Sequence, residues 1–231
     1  MRNLCKAGGM AALAAVAVVL IEAAVIIGTG KLVSSYDASA WFSLFQENRL
    51  VGLIDCAVLD IAVAVLLAPM FLALRAVLEK GHRGLSTIAV ALALLGIAIY
   101  VPTNRAVFLL DASDLYAAAA SEAQRSMYLA QGQALMGLGR FGMFWSVGFF
   151  VMSAGVLILS ASTFRDGALG KAVNIVGILG SFLIIANGLS LAIVPVDVGW
   201  ISTILAGSGG LLSMAWWILV GLRLLRLGRR E

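Results

Sequence analysis

The sequence predicts an all-α fold: a polytopic bundle of six transmembrane helices making one domain over residues 1–231. Three observations carry that expectation. The chain is 62% hydrophobic and only 12% charged, with a mean hydropathy of +1.04. A soluble domain is about 25% charged, so these few polar side chains could not cover a water-facing surface, and lipid must cover most of it. The apolar residues gather into six runs near the roughly 20 residues that a bilayer requires. Finally, the sixteen lysines and arginines divide unevenly between the two ends of those runs.

The first run, 9–28, follows Arg2 and Lys6 as a signal peptide would. Its apolar stretch is too long for one, and no small-x-small cleavage site follows, so it is expected to be retained. Next, Asp37 offers an N-cap, and Trp41, Phe42 and Phe45 share one helical face. That pattern predicts a short amphipathic helix lying along the outer membrane surface. The second run, 50–78, carries Asp55 and Asp60 in its opening turns. In the third, 85–107, Pro102 is expected to kink the helix and free a carbonyl. An alanine-rich segment, 111–139, opens on the capping candidates Asp111 and Ser113. It predicts a second outer helix that runs into the fourth span, with a break near Gly137 and Gly139.

The remaining runs are 141–162, 172–194 and 199–222. Trp200 is expected to mark the outer interface of the last one, and Trp216 with Trp217 its inner interface. Arg2, Lys6, Arg75, Lys80, Arg83, Arg165, Lys171, Arg223, Arg226, Arg229 and Arg230 fall on the N-terminal side. Lys31, Arg49, Arg105, Arg125 and Arg140 fall on the other. Eleven against five puts both termini in the cytoplasm, with the C-terminal arginines against anionic lipid.

Composition also excludes several functions. The formal net charge of +4 reflects cytoplasmic loops, since no basic stripe with interleaved aromatics lies outside the spans; no nucleic-acid partner is expected. Cys5 and Cys56 indicate no disulfide framework. A single histidine, His82, removes bis-histidine haem and His-rich zinc sites, so no cofactor or metal is expected.

Within the spans the polar residues gather in one layer. A carboxylate on a spanning helix costs roughly 2.5–3.5 kcal/mol on insertion scales, and needs a partner, a proton or water. At 1.5 Å per residue, Glu22 and Asp55 lie roughly 6–9 Å below the outer interface and Asp60 about 14 Å below it. The third span brings Tyr100, Asn104 and Arg105 to the same half, and the fifth places Asn187 near the depth of Asp55. Asp55 and Asp60 are five apart, so on one helix they point apart by about 140°. Asp60 joins Gly52, Cys56, Ala64 and Ala68 in a small-residue stripe that should face protein. Asp55 is the natural partner of Arg105, with Glu22 beside it. Arg49 and Arg140 are expected to snorkel to the interface.

Catalytic patterns are weak. No histidine in a span stands ready as base for Ser153, and the motifs of intramembrane aspartyl proteases do not surround Asp55 or Asp60. Gly207, Gly209 and Gly210 lack the Lys-Ser/Thr of a phosphate loop and are expected to permit close packing or a bend.

Three stretches carry a likeness to a known family. They are the first span to Glu22; the entry Asn48-Arg49-Leu50-Val51-Gly52-Leu53-Ile54-Asp55; and Phe149 to Gly155 followed by Ser162-Thr163-Phe164-Arg165, Leu169-Gly170 and Val176-Gly177. In these the chain resembles the bacterial membrane-protein family called domain of unknown function 4386, with Asp166-Gly167 where a proline is expected. The resemblance implies a six-helix protein of the bacterial inner membrane and supplies no reaction.

The leading functional expectation is a non-enzymatic membrane protein whose polar pocket, built from Glu22, Asp55, Asp60, Asn104, Arg105 and Asn187, opens outward. It would bind or move a small solute or protons, and transport through so few helices predicts a homodimer. The alternatives are a structural or accessory subunit held together by these same residues, and an intramembrane hydrolase.

Overall fold

A computed structural model of the protein describes residues 1–29, 37–56, 58–140, 143–165, 167–193 and 200–230. Among these residues there are helices and no strands. In chain order the helices are α1 (Arg2–Thr29), α2 (Ala38–Glu47), α3 (Arg49–Asp55), α4 (Leu59–Val77) and α5 (Glu79–Thr103). They continue with α6 (Ala106–Ala117), α7 (Glu122–Arg140), α8 (Met143–Ser162), α9 (Lys171–Ile193) and α10 (Trp200–Arg230).

Five segments are long and apolar enough to cross a membrane: α1, α4, the run from Gly81 through α5 and α6 to Ala117, α9 and α10. The apolar part of α8 described here, Val147–Ser162, is shorter. Leu20, Leu72, Leu95, Phe182, Leu189 and Leu211 stand exposed on these helices. An apolar outer surface of this kind fits a membrane protein, since lipid can cover what water would reject.

The long helices close into a ring. Helices α1, α4, α5, α8, α9 and α10 each touch the one before and the one after, and α10 returns to α1. Lipid tails are as apolar as leucine, so association must come from close van der Waals contact. Glycines supply it at most seams. A Cβ on Gly8 would come 2.6 Å from Ala73 Cβ, and one on Gly9 would come 2.8 Å from the Gly221 carbonyl. Gly96, Gly148 and Gly155 bring the backbones of α5 and α8 together in the same way. Leu67, Met70, Phe71, Leu74, Trp216 and Leu224 fill the core behind these seams.

The turn from α8 to α9 is held by side chains. Asn174 Nδ2 donates to the Thr163 carbonyl (2.8 Å) while Thr163 Oγ1 donates to Asn174 Oδ1 (3.0 Å). Gly167 (φ 66°) and Gly170 (φ 91°) take up left-handed backbone there. Arg223 Nη2 donates to the Ala168 carbonyl at 2.6 Å, so this arginine holds a backbone turn.

At the other end α2, α6 and α7 build a small cap with its own core. This corrects the expectation that α2 lies on the membrane surface. Its apolar face is real, but Trp41, Phe42 and Phe45 are buried against Leu109, Leu110 and Met136. An amphipathic face satisfies itself equally well on other helices. Gln46 Nε2 donates to Ser113 Oγ at 3.0 Å, and the Ala38 amide donates to Gln133 Oε1 at 3.1 Å. Arg49 does not simply snorkel; it pairs with Asp114 at 2.6 Å, on the exposed side of the cap. Asp37 caps α2 as expected, and hydrogen bonds from the Ser39 hydroxyl and amide hold its carboxyl below the usual aspartate range.

Other boundaries differ too. Residues 111–139 are not one helix, because α6 starts earlier, at Ala106, and the chain turns between Ala117 and Glu122. The third span stops at Thr103, so Pro102 sits in its last turn and ends the helix rather than kinking it. The largest correction concerns 50–78, which is two helices. The Asn48 side chain caps α3 by accepting from the Val51 amide (3.1 Å), and α3 ends at Asp55. Across the break the Val58 amide reaches back five residues to the Leu53 carbonyl, at 3.1 Å. Such i→i−5 bonds mark π-type bulges, which interrupt helices at functional sites more often than elsewhere. Asn48→Ala should remove this cap at a cost of about 1 kcal/mol. Thermal melts of the purified protein test it: the melting temperature should fall for Asn48→Ala and recover for Asn48→Asp.

Candidate functional site: an acid-lined cavity inside the ring

The break between α3 and α4 places the two aspartates on different helices. The 140° separation expected from a single helix therefore does not apply. Asp55 ends α3, whereas Asp60 lies in the first turn of α4, where the helix dipole favours a negative group. Glu22, buried on α1, is close enough for the charges of both aspartates to act on it. Glu22 thus feels the charges of two aspartates that come from two other helices.

Asp60 receives a hydrogen bond from Tyr100 Oη at 2.7 Å, across the α4–α5 seam. Tyr100 in turn meets Phe149 of α8 edge-on, with ring centroids 4.8 Å apart. The carboxylate of Asp60 is thereby backed by two aromatic rings on one side. Its other side faces open space.

That space has two adjoining lobes. A smaller one of about 190 Å³ is lined by Asp60, Phe149, Ile184, Asn187, Ala206 and Gly210. A larger one of about 550 Å³ runs from Asp60 and Phe149 along the ring interior to Phe71, Val176 and Trp216. Its walls are mostly apolar, and Asp60 is the charged residue among them. Trp216 and Trp217 line this lobe and are buried, which corrects their expected place at the membrane interface. Their large rings fill the ring core instead, with Trp216 tilted against Phe71 at 6.2 Å between centroids.

Of the six residues expected to form a pocket, Asp60 and Asn187 share a lobe, and Glu22 and Asp55 stand beside Asp60. Asn187 Oδ1 accepts a 2.6 Å hydrogen bond from Ser202 Oγ, tying α9 to α10 at that lobe. Arg105 reaches the thiol of Cys56 at the helix break, with the Asp55 charge also acting there. Asn104 Oδ1 accepts from the Ala106 amide at 3.1 Å, just ahead of α6. Tyr100 and Ser202 are additions to the site. Tyr100 was visible in the sequence as a polar tip arriving at the right depth, whereas Ser202 carries no signal beyond its place near a span end.

Among the described residues, no three His, Cys, Asp or Glu side chains are grouped to hold a metal ion. The arrangement can offer negative charge to a cation inside an apolar chamber, where attraction is much stronger than in water. The hydrogen bond between Tyr100 and Asp60 also offers a proton a path between phenol and carboxyl.

Fold and cavity together fit a class, that of helical membrane proteins with an acid-bearing chamber between their helices. Comparison with protein families, characterised proteins and solved structures finds no match to this chain.

Proposed function

We propose that this protein is a multi-pass membrane protein that binds a small organic cation at Asp60, inside a chamber ringed by six spanning helices. The observation that carries this reading is the position of Asp60, the charged group in otherwise apolar walls, with Tyr100 and Phe149 beside it. Aromatic faces near a carboxylate suit an ammonium, which gains from ring quadrupoles as well as from charge. Helix α8 is the sixth span of this proposal. Both termini face the cytoplasm on the strength of the basic residues, so the acids lie toward the outer side. A bacterial inner membrane, kinship with the domain of unknown function 4386 and a homodimer complete the picture. Protons are the other cargo that this acid cluster supports.

The second reading is structural, and one observation favours it: the Tyr100–Asp60 hydrogen bond joins α4 to α5. A binding measurement separates the two. Tetramethylammonium is titrated into the protein in phosphatidylcholine nanodiscs, with tryptophan fluorescence as readout, since Trp216 and Trp217 line the chamber. Saturable binding that weakens at least tenfold in Asp60→Asn supports the proposal. No saturable response, or one indifferent to Asp60, leaves the structural reading.

A further inference from the structure

The ring is tight at one end and open at the other along a single seam. Near the termini α1 and α10 touch closely, with Gly9 against Gly221 and Leu225, and Gly228 against Arg2 and Lys6. Toward the cap the same two helices draw apart. Leu20 of α1 and Leu211 of α10 both line the larger lobe, yet they are 54% and 67% exposed. Gly207 and Gly210 line it too, and a Cβ on either would meet nothing within 4 Å. The lining residues contributed by α8 and α9 are buried or half-buried. The chamber therefore opens sideways, between α1 and α10, through a face whose exposed residues are apolar.

Its shape limits what fits. Asp60 and Phe71 both border the lobe, and the helical rise puts them about 16 Å apart along α4. Spread over that length, about 550 Å³ is a slot roughly 35 Å² in section. An unbranched alkyl chain fits along such a slot. The charge lies at one end, in the first turn of α4, and the apolar walls run on from it toward Phe71 and Trp216. An amphiphile in a bilayer has the same layout, with its head near the interface and its chain toward the midplane.

We propose that the occupant is a single-chain amphiphilic amine that slides in from the lipid through the α1–α10 seam, setting its ammonium against Asp60 and its chain along the slot. This inference rests on Asp60 being a cation-binding group. Lateral entry keeps the chain in an apolar phase throughout, so only the head exchanges its surroundings. Gly207 and Gly210 put no side chain into the seam, and Asn187 with Phe149 completes the seat for the head.

The test uses full-length protein in phosphatidylcholine nanodiscs and dodecylamine bearing a nitroxide at its chain end, which quenches nearby tryptophans. The expected result is saturable quenching at concentrations at least tenfold below those needed for the equally labelled dodecanol. Gly207→Trp, which fills the seam, should weaken the amine at least tenfold while keeping the wild-type melting temperature, and Gly207→Ala should bind as the wild type does. If Gly207→Trp fails to fold, Leu211→Trp on the same edge takes its place. Equal quenching by amine and alcohol overturns the inference, as does a filled seam that leaves the amine within twofold of wild type. Binding of tetramethylammonium without binding of the amine defeats this inference alone; failure of both defeats the reading of Asp60 as well.

Discussion

Gly155→Leu is expected to cost the protein its fold. A Cβ at position 155 would fall into close contact with the Ala89 carbonyl oxygen and within 2.9 Å of the Ala93 nitrogen. Both are backbone atoms of α5 and cannot swing aside. Overpacking a core side chain costs about 1–3 kcal/mol, and here a whole helix must retreat, so at least about 3 kcal/mol is expected. The loss would spread, because Gly96 and Gly148 depend on the same approach, with the Gly148 carbonyl only 2.5 Å from a Cβ on Gly96. Yield of monodisperse protein and the melting temperature measure it. Gly84→Leu is the control: a side chain there meets nothing within 4 Å, so its effect should stay within about 0.5 kcal/mol. Equal stability of the two variants would mean that α5 and α8 do not touch through this seam.

The second large effect is on binding rather than folding. Asp60→Asn keeps an oxygen to accept from Tyr100 Oη and removes the negative charge. A carboxylate on a spanning helix costs roughly 2.5–3.5 kcal/mol to insert, so the amide should leave the melting temperature unchanged or raise it. Tetramethylammonium binding should fall at least tenfold in the same sample. If Asp60 served only to join α4 to α5 through Tyr100, there would be no saturable binding for the substitution to weaken. Affinity therefore separates the two readings, and the melting curve shows that the variant is folded. Tyr100→Phe should weaken the cation less than Asp60→Asn, because it removes an orienting hydrogen bond and keeps both the charge and the ring.

Much of the architecture was legible because it depends on length and apolarity alone. The runs at 9–28, 172–194 and 199–222 became α1, α9 and α10, the first and last extended by residues whose polarity hid a continuing helix. The break at Cys56–Val58 was not legible. Asp-Cys-Ala-Val contains neither glycine nor proline, and hydropathy runs straight through it. What interrupts the helix is tertiary: α3 packs on α1, α2 and α6, while α4 belongs to the ring. Trp41, Phe42 and Phe45 show a second limit, since an apolar helical face does not say whether lipid or protein will cover it. Asn104 shows a third. An asparagine at the right depth looks like a ligand, and the sequence does not show that its oxygen also accepts from the Ala106 amide at the start of α6. Asp60 was readable because it shares a face of α4 with Ala64, which packs inward. The chamber it faces was not, because an empty volume belongs to no residue.

The order of the ring has a consequence for how the molecule is made. Each wall is a hairpin between consecutive long helices, so five of the six seams can form as the chain emerges. The sixth joins the first helix to the last, with Gly228 lying against Arg2 and Lys6. Until α10 arrives, α1 has one flank open to lipid and Asp60 lies in an unfinished trough. The chamber is therefore a property of the completed polypeptide, and a ribosome or insertion machine releasing it early would leave three acids in the bilayer with no wall behind them. The two ends of the chain lie together, so a circularly permuted gene, joined there and cut between α8 and α9, would encode the same ring with a different wall added last.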